Sequence, residues 1–154
     1  MEQLREYRQR LLTRYEAAAR EFRTAVETAT NPNIPREADE WSVHQIAVHA
    51  RDVEKMVYGL RVRRTLDEDD PQFENFDGDM WMIEHYNADE PLASILDELV
   101  GSVQEAVARL RGLPPEAWTR PGHHATYGGG FTAQTWVERG LAHLEEHLMT
   151  VLGK

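Results

Sequence analysis

The chain has 154 residues, of which 41% are hydrophobic, and it contains no cysteine. This length suits one core, so we predict a single domain over residues 1–154. The absence of cysteine excludes disulfides and thiolate metal ligands, so any metal must be bound by His, Asp or Glu. The formal net charge of −10 is spread along the chain and argues against nucleic acid as a partner.

No apolar run approaches the roughly 20 residues of a membrane span, and the first residues do not look like a signal peptide. We therefore expect a cytoplasmic protein that does not interact with membranes. Arg61, Arg63 and Arg64 form the one compact basic group. We interpret it as the solvated end of a helix, where cations interact favourably with the helix dipole.

The first predicted helix extends from Glu2 to about Glu27, because apolar residues recur every three or four positions. Pro32 and Pro35 end this pattern, since proline removes a backbone donor and restricts the residue before it. The apolar face consists of Leu4, Tyr7, Leu11, Tyr15, Ala18, Phe22 and Ala25.

The second helix is predicted to begin at Ser42, where Gln45 at the third helical position completes a capping box, and to continue to about Leu66. At 100° per residue, His49 lies on the inward face and His44 points almost the opposite way. The predicted inward face consists of Ile46, His49, Ala50, Val53, Met56, Val57 and Leu60.

A long crossover, Asp67 to Glu90, is predicted between the second and third long helices. It is rich in acidic residues but lacks the alternating ligands and central glycine of a calcium-binding loop, so we expect it to be solvated. Only Asp79 to His85 is predicted to form a short helix.

The third helix is predicted to start near Pro91 and to end at Gly112. A single turn is expected at Pro115 to Trp118, followed by a glycine-rich loop from Arg120 to Phe131. These glycines precede no phosphate-binding lysine, so a phosphate loop is not expected. The apolar face of the third helix consists of Leu92, Ile95, Leu96, Leu99, Val103, Val107 and Leu110.

Thr132 is the predicted N-cap of the fourth helix. Trp136, Gly140, His143 and His147 lie along one side of its apolar face. A glycine inside a helix indicates a packing reason or a site reason, and at Gly140 the site reason would be space for a ligand. The apolar face itself consists of Val137, Leu141, Leu144, Leu148 and Val151.

Four long amphipathic helices without a strand pattern predict an all-α fold, a four-helix bundle with a long crossover between helices 2 and 3. Metal sites in such bundles lie between facing helices.

The histidines offer a metal site. His143 and His147 are four residues apart, so both imidazoles lie on one face of a helix and can reach one divalent ion. His49, on the inward face of the second helix, is the candidate third ligand. Three neutral histidines would leave coordination positions open, which is typical of a reactive rather than a structural site. The alternative is that the three histidines bind no metal.

Protease chemistry is not expected at this site. A zinc-protease helix needs glutamate directly after its first histidine, and here that position is Leu144. The reversed pattern is present with Glu146, but its third ligand is expected far downstream, beyond Lys154. The catalytic residue is therefore unknown. Glu146 is a candidate base and Asp52 a candidate for orienting an imidazole, and the alternative for each is a solvated carboxylate.

Several motifs resemble the DinB/YfiT-like superfamily of four-helix bundles. They are Trp41 before a helix that carries His49, the stretch Phe76–Trp81 followed by Tyr86, the segment Trp118–His124, and the ending His143-x-x-x-His147. The resemblance extends from about Trp41 to the C-terminus, and the first helix matches only in its pattern.

The resemblance implies a divalent metal (zinc, nickel, iron or manganese) bound by His49, His143 and His147, and it also implies a homodimer. Some members are metal-dependent transferases or isomerases that use low-molecular-weight thiols such as bacillithiol or mycothiol, and others are described as metal-dependent hydrolases. His124 matches a loop histidine of one branch, whereas His123 departs from the pattern.

We therefore expect an S-transferase that depends on a low-molecular-weight thiol and acts on small electrophiles through the three-histidine site. A thiol cosubstrate would supply the sulfur that the chain lacks. The alternatives are a metal-dependent hydrolase on the same site and a non-catalytic stress-response bundle that binds a metal or a small molecule.

Overall fold

The structure, a computed structural model that describes residues 1–154, contains six α-helices, a 3₁₀ turn at Pro115–Thr119 and three short strands. A π-helical turn, Glu54–Tyr58, joins the second and third helices into one long helix. The four long helices predicted from the sequence are therefore present, and the four-helix bundle is confirmed. The helices are α1 (Glu2–Thr28), α2 (Val43–Val53), α3 (Gly59–Asp67), α4 (Gly78–His85), α5 (Leu92–Arg111) and α6 (Ala133–Val151).

The packing of the helices encloses one large apolar core. α1 packs mainly against α5 and α6, and the α2–α3 helix packs against the same two helices. The predicted apolar faces meet there, because each helix must remove its apolar face from water. Among the fully buried core side chains are Leu12, Tyr15, Phe22, Ile95, Leu99, Trp136 and Leu144.

Two capping boxes fix where the two histidine-bearing helices begin. The Ser42 side chain accepts a hydrogen bond from the backbone N–H of Gln45 at 3.1 Å, and the Gln45 side chain in turn accepts one from the Ser42 backbone. Thr132 and Thr135 form the equivalent arrangement at the start of α6. Both predicted N-caps are therefore present, and they satisfy backbone donors that a helix leaves free at its start.

The all-α fold class is confirmed, but the prediction of a loop from Arg120 to Phe131 is wrong. The segment expected to be loop contains β2 (Gly122–His124) and β3 (Gly128–Phe131), which are antiparallel. β1 (Gln72–Phe73), in the crossover, pairs with β2 in parallel. Strands of two to four residues that include several glycines are too short to show the alternation of a β-strand in the sequence. The sheet attaches the crossover to the segment before α6.

The orientation predicted for His44 is correct relative to His49, but His44 is not solvated. Its side chain is 2% exposed. Its Nδ1 lies 2.6 Å from the Tyr86 hydroxyl and its Nε2 lies 2.7 Å from the carbonyl oxygen of Glu90. The crossover covers this face of α2, which helix periodicity alone does not reveal.

The interpretation of Arg61 as part of a solvated helix end is wrong. Arg61 is only 8% exposed, whereas Arg63 is exposed. The π-helical turn explains the difference, because its extra residue rotates all later residues by about 100° relative to a continuous α-helix. The inward position predicted for Leu60 is thereby shifted toward Arg61.

None of the helices is long and apolar enough to span a bilayer.

Candidate metal centre

His49, His143 and His147 come together at one point between α2 and α6. The Nε2 atom of His143 lies 3.2 Å from Nε2 of His49 and 3.1 Å from Nε2 of His147. One ring nitrogen from each histidine lies within 4.8 Å of the other two. The three residues that the sequence singled out are therefore brought together by the fold.

Aromatic side chains surround the three rings. Trp41, just before α2, packs against His49 with ring centroids 4.9 Å apart, and Tyr58 packs against His143 at 5.6 Å. All three histidines are half-buried. The rings are thus held on two helices and are partly shielded from water.

Burial keeps the three imidazoles neutral. It lowers the pKa of His49 to about 4, with a further decrease from His147 and an opposing effect of Asp79. The pKa of His143 is lowered to about 3 by burial and by the two neighbouring histidines. Burial also lowers the pKa of His147, while Glu146 opposes this shift. At neutral pH all three therefore keep a free lone pair for a metal.

The donor set fits a divalent ion. Two nitrogens on one tetrahedral zinc, each bonded at about 2.0–2.1 Å, lie about 3.3 Å apart, close to the observed separations. The Nε2 atom of His143 also faces two other nitrogens but has only one proton or one lone pair to share between them. A cation at this point would satisfy all three nitrogens together. Zinc, nickel, iron or manganese suits imidazole ligands.

The two acidic candidates do not contact the imidazoles. The Asp52 carboxylate accepts hydrogen bonds from Nε of Arg51 at 2.7 Å and from the indole N–H of Trp81 at 3.2 Å. It therefore attaches α4 to α2. Glu146 is exposed.

The two loop histidines occupy different positions. His123 is exposed, and its Nδ1 lies 2.7 Å from a carboxylate oxygen of Asp70. His124 is 4% exposed, and its Nδ1 accepts hydrogen bonds from the backbone N–H groups of Thr126 and Tyr127. Neither belongs to the group of converging imidazoles.

Of the two reasons predicted for Gly140, the structure supports packing and not space for a ligand. A Cβ atom there would lie 2.8 Å from the Tyr15 hydroxyl and 3.2 Å from Cβ of Tyr58. The space is filled by protein side chains. Gly78 has the contact with the site instead, since a Cβ there would lie 2.9 Å from Cε1 of His49. The small residue allows the start of α4 to close over the His49 ring.

A cavity of about 240 Å³ borders the histidines. His49 and His143 form part of its wall, and Val53, Val57 and Phe76 contribute apolar surface. The other polar and aromatic lining residues are Tyr58, Arg61, Asn75, His124, Tyr127, Trp136 and Arg139. The volume suits a small molecule placed beside the ring nitrogens.

Sequence reasoning missed the arginines of this cavity. Arg139 lies one helical turn before His143 on α6, so the spacing that linked His143 to His147 also points to it. Arg61 had no such signal, because the π-helical turn changes the phase of its helix.

The chain matches a protein family in sequence and a solved structure in fold. A family model described as the DinB superfamily matches residues 3–151. Among curated proteins, no sequence match was found. Among solved structures, the chain is similar to YfiT from Bacillus subtilis, described as a probable metal-dependent hydrolase with an unusual four-helix bundle topology. That match has a TM-score of 0.84 and 20% identity, and it covers 96% of this chain and 85% of YfiT.

Proposed function

The chain belongs to the DinB superfamily, and from this membership we propose that it is a metal-dependent enzyme acting on a small molecule. His49, His143 and His147 would hold the divalent ion. The observation that carries the proposal is that the Nε2 atoms of the three converge at the wall of a cavity. A structural metal site would not need a cavity beside it.

When bound, the ion supplies Lewis acidity, which lowers the pKa of a water molecule or a thiol at neutral pH. The chain itself supplies neutral ligands in fixed positions and an apolar surface beside them. The imidazoles stay neutral and their ring positions are fixed by Trp41 and Tyr58. Val53, Val57 and Phe76 give the cavity apolar walls that exclude water around a bound molecule.

We favour transfer of a low-molecular-weight thiol to a small electrophile. The chain has no cysteine and no acid among the residues lining the cavity, so it offers no thiolate or carboxylate nucleophile of its own there. An exogenous thiol would provide the sulfur. Hydrolysis at the same site is the second candidate, and it is favoured by the description of YfiT as a probable metal-dependent hydrolase.

Metal content tests the proposal first. Protein purified without added metal, or reconstituted with zinc, nickel, iron or manganese, is expected to contain about one equivalent by elemental analysis. His49→Ala, His143→Ala and His147→Ala should each lose most of it, because two nitrogens bind far less tightly than three.

His85→Ala is the matched control, since His85 is exposed on α4 and lies outside the converging group. Native protein without stoichiometric metal after reconstitution would contradict the proposed function. Equal metal content in the native protein and His143→Ala would contradict the ligand assignment.

Turnover distinguishes the two reactions. Metal-loaded protein would be assayed with electrophiles in the presence and absence of small thiols, and with esters and amides alone. Conjugation that requires the thiol and falls to background in His147→Ala supports thiol transfer. Product release without thiol supports hydrolysis, and no turnover in either screen by a fully loaded protein supports the non-catalytic binding alternative.

A further inference from the structure

The cavity beside the histidines has an unusual charge. The chain contains 27 acidic and 17 basic residues other than histidine, yet none of the 13 residues that line this cavity is acidic and two are arginine. In so acidic a protein, a wall that contains only positive charge is the reverse of the surrounding surface. The cavity is thus suited to a negatively charged ligand.

Arg61 is buried without an anionic partner. At 8% exposure, its guanidinium has one hydrogen bond to protein, from Nη2 to the carbonyl oxygen of Glu74 at 2.8 Å. Its Cζ lies 4.7 Å from the centre of the Trp136 ring, so a flat aromatic surface holds the group in position.

Arg51 provides the comparison within the same molecule. It is equally buried, at 7% exposure, but it contacts the carboxylates of Asp52, Glu90 and Glu98 at 2.5–3.0 Å. A buried charge is costly unless it is paired. The fold provides that pairing for Arg51 and leaves it incomplete for Arg61.

Arg139 adds a second unpaired guanidinium. It packs against the rings of Tyr127 and Phe131, at 5.2 and 5.1 Å, and forms no ion pair. Burial lowers the pKa of Arg61, and the charge of Arg139 adds to this effect; burial also lowers the pKa of His124, with further decreases from both arginines. The two positive charges are thus close enough to affect each other and the same imidazole.

Further donors point to the same kind of ligand. Because Nδ1 of His124 accepts hydrogen bonds from two backbone N–H groups, the proton of the neutral ring is on Nε2, where it can be donated. The indole N–H of Trp136 has no acceptor within the protein. His124 therefore adds a neutral donor to the wall that contains Arg61 and Arg139.

We propose that the cavity binds the anionic oxygens, carboxylate or phosphate, of a small molecule through Arg61 and Arg139. The rest of that molecule would extend toward His49 and His143. The identification of this molecule as a substrate or cosubstrate rests on the proposed function, whereas the anion site stands on the arginines alone. The anionic group belongs either to the electrophile or to the thiol.

Binding to the metal-free protein tests the proposal, since an anion then has no ion to ligate. The full chain, treated with a chelator, would be titrated with two charged probes and their neutral counterparts: benzoate and benzamide, and 3-mercaptopropionate and 2-mercaptoethanol. Inorganic phosphate is a fifth probe. The NMR signals of the tryptophan indoles report binding. Where a probe pair binds, its anion should bind at least about tenfold more tightly than its neutral counterpart.

Arg139→Met and Arg61→Met should weaken anion binding by at least about tenfold, while Arg63→Met, an exposed arginine of the same helix outside this cavity, should leave it unchanged. If Arg61→Met does not fold, two other variants still test the site. Arg139→Met changes an exposed residue, and Arg61→Lys keeps the positive charge.

Each of three outcomes supports the site. Preference for benzoate alone assigns the anion to the electrophile, and preference for 3-mercaptopropionate alone assigns it to the thiol. Binding of phosphate alone assigns it to a phosphate ester. Equal affinity for charged and neutral probes, no saturable binding of any anion up to about 50 mM, or unchanged affinity in Arg139→Met would overturn it. Stoichiometric metal without anion binding overturns only this inference. Anion binding by a protein that takes up no stoichiometric metal after reconstitution overturns only the proposed function.

Discussion

Glu54 lies in the π-helical turn with its carboxyl group buried, at 2% exposure. The Tyr15 hydroxyl, from α1, donates a hydrogen bond to its Oε1 at 2.5 Å. Burial raises the pKa of Glu54 to about 7, although the hydrogen bond from Tyr15 opposes the shift. Near neutral pH, this residue therefore changes charge inside the bundle.

The free energy of unfolding should reflect that titration. A folded-state pKa above the unfolded value means that the stabilising contribution is present below about pH 4.5 and is lost as the pH rises through about 7. Glu54→Gln keeps an acceptor for Tyr15 but cannot ionise. As the pH rises from 5 to 8, we expect the free energy of unfolding of Glu54→Gln to increase by on the order of 2 kcal/mol relative to that of the native protein.

Urea unfolding at several pH values measures this difference. Glu105→Gln, at an exposed position of α5, is the control, and its free energy of unfolding should depend on pH in the same way as that of the native protein. A constant difference between Glu54→Gln and native protein at all pH values would contradict the assignment of the titration to Glu54.

How far individual residues can be predicted depends on what covers them. His49 was placed correctly because its position follows from the periodicity of α2 alone. The burial of His44 was not predicted, because Tyr86 and the Glu90 carbonyl that cover it come more than 40 residues later. Long-range coverage of this kind leaves no mark in a local pattern.

At the scale of the helices, Gly140 controls the approach of α6 to α1. Alanine usually stabilises a helix by about 1 kcal/mol relative to glycine. At position 140 its Cβ would clash with the Tyr15 hydroxyl, which is held by Glu54, and with Tyr58. We expect Gly140→Ala to destabilise the protein by about 1–3 kcal/mol, as measured by chemical unfolding.

Gly101 provides a matched control on α5, since a Cβ there has no neighbour within 4 Å. Gly101→Ala should stabilise the protein by up to about 1 kcal/mol. If the Tyr15 hydroxyl is the obstacle, the effects of Tyr15→Phe and Gly140→Ala will not be additive. Destabilisation of equal size at both glycines would argue against a specific clash.

The helix boundaries were predictable because capping residues and prolines act locally, as at Ser42 and Thr132. The π-helical turn was not, since its extra residue has no sequence signature and changes only the phase of the later part of the helix. Up to Val53 the predicted inward face is correct, and beyond Tyr58 it is rotated. The buried arginine of the cavity, Arg61, was missed for this reason.

At the scale of the whole molecule, a bound metal would connect parts of the chain that are far apart in sequence. His49 and His143 are separated by 94 residues and lie on helices that the unfolded chain does not hold together. At a free zinc concentration of about 100 times the dissociation constant, we expect the free energy of unfolding to rise by about 2.7 kcal/mol. His147→Ala should show little of this gain.

The zinc effect should also weaken in acid. Only a neutral imidazole binds zinc. Because the pKa values are lowered, the zinc effect is fully present above about pH 6.5 and is lost as the pH falls through about 4 for His49 and about 3 for His143. Thermal unfolding with and without zinc, at pH 7.5 and pH 4, checks the sign. A larger zinc effect at pH 4 would contradict binding through these imidazoles.

The bundle itself was predictable because four amphipathic helices have few ways to bury their apolar faces. The sheet that joins Gln72–Phe73 to Gly122–His124 was not, since it depends on backbone pairing between segments about 50 residues apart. This pairing places His124 in the cavity wall rather than among the metal-binding candidates.

Arg139 and His143 are successive positions on one face of a single rigid helix. Four residues of α-helix rise about 6 Å, and neither end can move relative to the other without unwinding α6. A ligand that reaches both positions must therefore have its charged group and its reacting atom separated by a few covalent bonds. The geometry of one helix would in this way select substrates by length.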